Sequence, residues 1–212
     1  VTRIKICGIT NLEDARAAIS YGADALGFIT VPESPRFVDG PSYLRLSKTL
    51  WLAHAGPFVM PVIVAKAITF ELMELYNPQC LQCYEGGLAQ NDRDLRLIKA
   101  FRVRDEGSLK EIEQYRGLVH AIFLDSYHKD KLGGAGETFN WELAVEAKKR
   151  TDKPIILAGG LTPENVQEAI AKVRPYAVDV SSGVEAEPGR KDHSKLKAFV
   201  RAVREYDLKY GD

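Results

Sequence analysis

The sequence predicts an α/β fold, a single (β/α)8 TIM barrel with residues 1–212 as one domain. Three observations predict it. Short runs rich in β-branched residues recur about every 25 residues, eight in all. A helical pattern with its own start and stop signals follows nearly every run. Several runs are almost continuously apolar, as strands covered on both faces of a parallel sheet must be. No Ser/Gly/Pro-rich linker and no low-complexity tract divides the chain, whose 212 residues lie near the lower end of the range for this fold.

In chain order the strand candidates are residues 4–9, 25–30, 59–65, 80–84, 99–103, 121–126, 154–160 and 177–184. Asn11 precedes Leu12, Glu13 and Asp14 as a helix cap followed by early acids, and Gly22 ends that helix. After the fourth run only residues 92–98 are available as a helix, which makes that unit the weakest. Asn140 opens a helix whose basic end, Lys148-Lys149-Arg150, suits the negative end of the backbone dipole. Thr162 stands as a cap before Pro163 at the first helical position, and Val166, Ala169, Ile170 and Val173 recur at the spacing of one buried face. Asp192-His193-Ser194 starts the last helix, with Leu196, Phe199, Val200 and Val203 as its apolar stripe.

The 29 basic and 29 acidic residues cancel, which removes the electrostatic argument for nucleic acid or an acidic membrane surface as partner. No stretch approaches the ~18 consecutive apolar residues of a membrane span. Val1-Thr2-Arg3-Ile4-Lys5 carries no secretory pattern, so a cytoplasmic protein is expected. Cys7, Cys80 and Cys83 are too few and too odd in number for a disulfide framework. Cys80 and Cys83 do form a C-x-x-C, but in a strand residues three apart point to opposite faces. These two thiols should not meet. His54, His120, His128 and His193 show no metal-ligand spacing, and no metal is expected.

Enzymes of this fold build their sites at the C-terminal ends of the strands, so the polar residues ending each run are the candidates. Gly159 and Gly160 after the seventh run let backbone approach a ligand closely. Ser182 and Gly183 follow the eighth, where such barrels often bind phosphate through loop N–H groups. Tight turns alone also explain these glycines, but two neighbouring loops with one signature favour a phosphorylated small-molecule substrate. A further segment, Gly133-Gly134-Ala135-Gly136, follows the sixth run, where a loop can close over a ligand. Cys7 reads either as a small buried hydrophobe or as a rim thiol just before Gly8. Asp125 can cap or pair structurally, yet after Ile122-Phe123-Leu124 it sits where loss of solvent favours its protonated form. The first and sixth strands lie three apart on an eight-strand ring, nearly opposite each other. A thiol and a carboxyl facing across a pocket can serve as base and acid.

These motifs resemble a known family. Lys5-Ile6-Cys7-Gly8-Ile9-Thr10-Asn11, Tyr21-Gly22-Ala23-Asp24-Ala25-Leu26-Gly27-Phe28, Ser34-Pro35-Arg36 and Phe123-Leu124-Asp125 are similar to phosphoribosylanthranilate isomerase of tryptophan biosynthesis. So are Gly133-Gly134-Ala135-Gly136-Glu137-Thr138-Phe139-Asn140-Trp141, Leu157-Ala158-Gly159-Gly160-Leu161 and Asp179-Val180-Ser181-Ser182-Gly183-Val184-Glu185. The resemblance runs end to end apart from a divergent middle. It implies an Amadori rearrangement of N-(5-phosphoribosyl)anthranilate to the 1-deoxyribulose 5-phosphate aminoketose, without cofactor or metal. By motif position Asp125 is the general acid that opens the furanose ring and Cys7 the general base that removes the C2 proton. Arg36 holds the anthranilate carboxylate, a task suited to its planar fork. Gln82, Tyr84, Gly133, Gly134, Gly159, Gly160, Asp179, Ser182 and Gly183 are the expected substrate-binding residues. A free thiol is only a few per cent thiolate at neutral pH, so Cys7 needs a depressed pKa or proton transfer coupled to substrate binding.

The departures fall in strands three and four. The family usually reads Gly-Val-Phe-Val-Asn where this chain has Pro61-Val62-Ile63-Val64-Ala65, and Gln-Leu-His-Gly where it has Gln82-Cys83-Tyr84-Glu85. Strand parity puts Tyr84 on the pocket side with Gln82, as a hydrogen-bond donor and a stacking ring. Rival readings are a dual-substrate sugar isomerase that also acts in histidine biosynthesis, and a phosphate-ligand binder without turnover. The related histidine-pathway isomerase pairs two aspartates, and Cys7 stands in the place of one. A mere binder needs neither Cys7 nor Asp125. A monomer and a homodimer are equally compatible with the sequence.

Overall fold

A computed structural model of the chain describes residues 1–52, 59–86, 95–115, 117–126 and 140–211. Eight strands follow in order: β1 (Arg3–Cys7), β2 (Ala25–Ile29), β3 (Met60–Ala65), β4 (Cys80–Cys83), β5 (Arg96–Val103), β6 (Ala121–Ser126), β7 (Ile155–Leu157) and β8 (Ala177–Val180). Each pairs in parallel with the next, and β8 returns to β1, so the sheet closes into a barrel. The helices are α1 (Leu12–Tyr21), α2 (Gly40–Leu52), α3 (Phe70–Tyr76), α4 (Trp141–Lys149), α5 (Val166–Val173) and α6 (His193–Tyr210). No helix among the described residues is long and apolar enough to cross a membrane.

The alternation of each strand separates two cores. Ile4, Ile6, Phe28, Ile63, Leu81, Leu97, Leu124 and Val178 point outward and pack beneath the helices, with Ala15, Ala18, Val166, Ile170, Phe199 and Val203 among their cover. The inward set is smaller in volume: Val62, Val64, Cys80, Ile98, Ala100, Ala121, Phe123, Ile156 and Ala177 fill the barrel. Above them, at the ends of the strands, the interior turns polar. Lys5, Gln82, Asp125 and Asp179 are all buried there. Polar groups buried in a barrel mouth cost stability unless paired, so their presence marks the functional end.

The capping residues act as their chemistry dictates. The Asn11 side chain accepts from the Asp14 N–H, and α1 ends at Gly22 in the left-handed region, φ 107°. Asn140 accepts from Glu142, and Asp192 accepts from the N–H groups of Ser194 and Lys195. All four residues of the expected α5 stripe and all four of the α6 stripe are buried. Cys80 faces the barrel interior and Cys83 the helix layer, and all three cysteines are free thiols.

Several boundaries differ from expectation, β8 among them, since it ends at Val180 and Ser182–Val184 form a 3₁₀ turn. Of the expected helix 92–98, residues 92–94 lie outside the described residues, and from Arg96 onward the chain is β5 instead, with Leu97 buried outward and Ile98 inward, so the period of two prevails. Two short 3₁₀ turns, Glu106–Leu109 and Ile112–Tyr115, follow that strand instead. Helix α5 starts at Val166 rather than Pro163, because the Asn165 side chain accepts from the Thr162 N–H and folds 162–165 into a turn. Strand β7 stops at Leu157, ahead of Gly159 and Gly160, whose φ values of 82° and 65° leave the extended region.

Candidate active site

The pocket at the C-terminal mouth is floored by Phe123 and walled by the ends of the strands. Cys7 ends β1 with its side chain inward. Gly27 lies across from it in register, and a Cβ there would stand 2.8 Å from the Cys7 sulfur and 3.1 Å from Lys5 Nζ. The missing side chain of Gly27 is therefore the space that thiol and ammonium share. Lys5 Nζ donates to Asp179 Oδ1 at 2.6 Å, across the β1–β8 seam where the two residues are register partners. Burial disfavours the Lys5 charge, but Asp179 and Cys7 outweigh it and hold the ammonium above its ordinary range. Burial pushes the Cys7 thiol up, only partly countered by Lys5 and Lys191. Of the two routes expected for Cys7, this shift favours the one coupled to substrate binding.

Asp125 near the end of β6 is buried and lines the same pocket. Its Oδ1 accepts the N–H of Ser126 at 2.9 Å, and its Oδ2 accepts the Tyr84 hydroxyl at 3.2 Å. Tyr84 shares the pocket with Gln82, as strand parity requires, and its hydroxyl is held well above its ordinary pKa, first by burial and then by the Asp125 charge. Gln82 is 1% exposed, and its Oε1 has no partner among the described residues. A buried acceptor left open inside a pocket is a place for a ligand donor.

On the opposite side two loops meet. Gly159 and Gly160 follow β7, Ser182 and Gly183 follow β8, and all four line the pocket. A Cβ on Gly183 would overlap the carbonyl oxygen of Leu161, and one on Gly159 would press on the backbone nitrogen of Ser126. The glycines therefore do more than turn the chain, because they let three strand-end loops converge. Ser181 Oγ, buried beside them, also lacks a partner among the described residues.

Arg36 reaches the pocket from the loop after β2. Its side chain crosses the end of β1 over Gly8, where a Cβ would lie 2.6 Å from Arg36 Cδ. One edge of its guanidinium is already taken: Nε and Nη2 donate to Glu185 Oε1 and Oε2 at 2.8 and 2.6 Å. Among the described residues Nη1 donates to none, so the end-on edge is the one left for a ligand. Burial acts to raise the Glu185 pKa, but the Arg36 hydrogen bonds and the Lys191 charge outweigh it and hold the carboxyl below its ordinary value.

With this arrangement in view, the chain can be set beside known proteins. Residues 4–202 match the family described as PRAI: N-(5'-phosphoribosyl)anthranilate (PRA) isomerase. The chain belongs to this family. A relative from Geobacter sulfurreducens is 43% identical over 96% of this chain and 99% of its own length, and one from Trichlorobacter lovleyi is 45% identical over 96% and 98%. Both carry the name N-(5'-phosphoribosyl)anthranilate isomerase. Among solved structures, the phosphoribosyl anthranilate isomerase of Thermotoga maritima superposes with a TM-score of 0.81 at 35% identity, covering 97% of this chain and all of the other. A phosphoribosyl anthranilate isomerase solved with reduced 1-(o-carboxyphenylamino)-1-deoxyribulose 5-phosphate gives 0.78 at 34% identity, with 97% and 100% covered.

For a member of the phosphoribosylanthranilate isomerase family, ten of the twelve expected site residues line this pocket: Cys7, Arg36, Gln82, Tyr84, Asp125, Gly159, Gly160, Asp179, Ser182 and Gly183. Gly133 and Gly134 lie outside the described residues. The sequence reading missed Ser181, which lines the pocket, and Lys5, Glu185 and Lys191, which support its lining residues from behind. Lys5, Ser181 and Glu185 all stand inside its quoted motifs, and the signal was an ionisable or hydroxyl side chain at a strand end. Lys191 gave no such signal, since only the fold brings it behind Glu185. Among the described residues no group of three His, Cys, Asp or Glu converges as a metal site.

Proposed function

We propose that the chain catalyses the Amadori rearrangement of N-(5-phosphoribosyl)anthranilate to 1-(2-carboxyphenylamino)-1-deoxyribulose 5-phosphate, a step of tryptophan biosynthesis. The observation that carries this reading is the meeting of a buried thiol and a buried carboxyl, Cys7 and Asp125, in one pocket with Arg36 and the two glycine loops.

In this reading Asp125 gives its proton to the furanose ring oxygen as the C1–O bond breaks, and the nitrogen lone pair closes a C1=N iminium. Cys7, as thiolate, takes the C2 proton. The C2–H electrons form C1=C2, and the C=N pair returns to nitrogen. A proton then moves from the enol oxygen to C1 and completes the aminoketose, an isomer of the substrate. Cys7 ends with one proton more and Asp125 with one fewer, so a return transfer resets the pair. The iminium charge develops beside a thiol that burial has made reluctant to ionise, and an adjacent cation favours the thiolate. Tyr84 donates to the Asp125 carboxylate that remains after ring opening. The Gly159–Gly160 and Ser182–Gly183 loops hold the phosphate, and the end-on edge of Arg36 takes the anthranilate carboxylate.

The test is turnover of phosphoribosylanthranilate, generated in the assay, by the wild-type chain, Cys7→Ala and Asp125→Asn. Loss of about 10²–10⁴-fold in each variant with folding intact is expected for the removal of a general acid or base. A wild-type chain that binds the reduced product but does not turn over substrate would make it a binder and end this reading.

A further inference from the structure

Behind Arg36 lies a closed charge cluster that the reaction does not use. Glu185 grips one edge of the Arg36 guanidinium, and Lys191 Nζ donates to the same carboxylate at 2.9 Å and to the Ser181 carbonyl at 3.2 Å. The Lys191 side chain is 0% exposed and that of Glu185 5%, and neither residue lines the pocket. An ammonium buried this completely carries a large desolvation cost, which structural packing alone does not demand. Asp14 takes the Lys191 backbone N–H and closes its other oxygen on His193, so it does not neutralise the ammonium directly.

The count of charges gives the reason. Arg36 and Glu185 alone are a neutral pair, and a ligand carboxylate approaching it meets Glu185 as well as the guanidinium. Lys191 brings the cluster to a net charge of +1 without entering the pocket.

We propose that Lys191 is a specificity-determining positioning residue: acting through Glu185, it makes Arg36 a receptor for the aryl carboxylate of the substrate. This rests on the reading above that Arg36 takes that carboxylate. Glu185 fixes the guanidinium plane so that its end-on edge faces the pocket, and Lys191 cancels the charge that this fixing brings in. The contact of Lys191 with the Ser181 carbonyl also ties the carboxylate end of the pocket to the loop at its phosphate end.

The test compares binding of two probes, reduced 1-(2-carboxyphenylamino)-1-deoxyribulose 5-phosphate and the same compound without its carboxyl. Their affinity ratio is the carboxylate preference. Lys191→Met is expected to lower that preference about tenfold, with the decarboxylated probe bound as by wild type. Lys191→Arg keeps the preference. The double variant Lys191→Met/Glu185→Gln leaves Arg36 as a lone +1 and is expected to regain the preference to within about threefold of wild type. It removes the buried ammonium together with its carboxylate and leaves a charge only on Arg36, which lines the pocket, so it answers the question even if Lys191→Met alone does not fold. Equal loss for both probes in Lys191→Met, or no recovery in the double variant, overturns the proposal. A wild-type chain with no carboxylate preference, or Arg36→Met with the preference intact, overturns instead the assignment of Arg36.

Discussion

Lys5 and Asp179 are register partners on β1 and β8, and they join at 2.6 Å with 3% and 6% of their side chains exposed. The pair stands under Cys7 and closes the seam where the last strand meets the first. Breaking a buried pair strands one charge, so Lys5→Met should cost about 3–5 kcal/mol in urea unfolding. Lys5→Met/Asp179→Leu removes both charges and should recover most of that loss. A double variant no more stable than the single would mean that the pair's packing, rather than its charge, supports the seam.

The buried Cys7 thiol has a raised pKa, and this fixes the sign of a pH dependence. In the proposed mechanism the thiolate is the base, and its fraction grows about tenfold per pH unit until the folded pKa is reached. That pKa lies above the ordinary thiol value of ~8.5. In Asp125→Asn, where no acid titrates against the thiol, the residual kcat/KM should therefore climb with pH through neutrality and beyond it. Lys5 is among the charges that pull the thiol down, so Lys5→Met should move the climb to higher pH still. A profile flat between pH 6 and about 9 would remove the thiolate from the rate-limiting step.

Much of this was legible in the sequence, for identifiable reasons. Strand and helix order follow from periods of two and 3.6, and the caps Asn11, Asn140 and Asp192 follow from side chains that compete for free N–H groups. Cys7, Arg36 and Asp125 were legible because strand ends are where this fold places its chemistry. The expected helix 92–98 failed over its described end because Arg96, Leu97 and Ile98 fit either period over so short a span. The Arg36–Glu185–Lys191 cluster was not legible, because Arg36 and Glu185 are 149 residues apart and meet only when the barrel closes. A local pattern cannot report a contact that only topology makes.

Tyr84 stands where the family usually has histidine, and its hydroxyl donates to Asp125 Oδ2 at 3.2 Å. In the proposed mechanism a donor of this kind stabilises the carboxylate left when Asp125 gives up its proton, and so makes it a better acid. Tyr84→Phe keeps the ring and removes the donor. A hydrogen bond to a charged group is worth about 1.5–3 kcal/mol, so kcat should fall by about tenfold or more while KM changes little. Tyr84→His restores a donor and should recover part of the rate. Unchanged kcat in Tyr84→Phe would confine Tyr84 to packing against the ligand.

Gly183 tests whether the two glycine loops act as one site. The position its Cβ would occupy is filled by the carbonyl oxygen of Leu161, a backbone atom of the neighbouring loop that has no rotamer to give way. Gly183→Ala must therefore push the loop after β8 away from the loop after β7. Such a shift leaves Cys7, Asp125 and Tyr84 in place, since they sit on β1, β6 and the end of β4. In the proposed reading it separates only the loop N–H groups that hold the phosphate. A misplacement of about 1 Å in a positioning group costs on the order of 10²-fold, and most of it should appear as weaker binding of the reduced product analogue. A Gly159→Ala change presses instead on Ser126, next to Asp125, and should lower kcat as well. If Gly183→Ala leaves binding of the analogue unchanged, the loops serve only to close the barrel mouth, and the phosphate sits elsewhere.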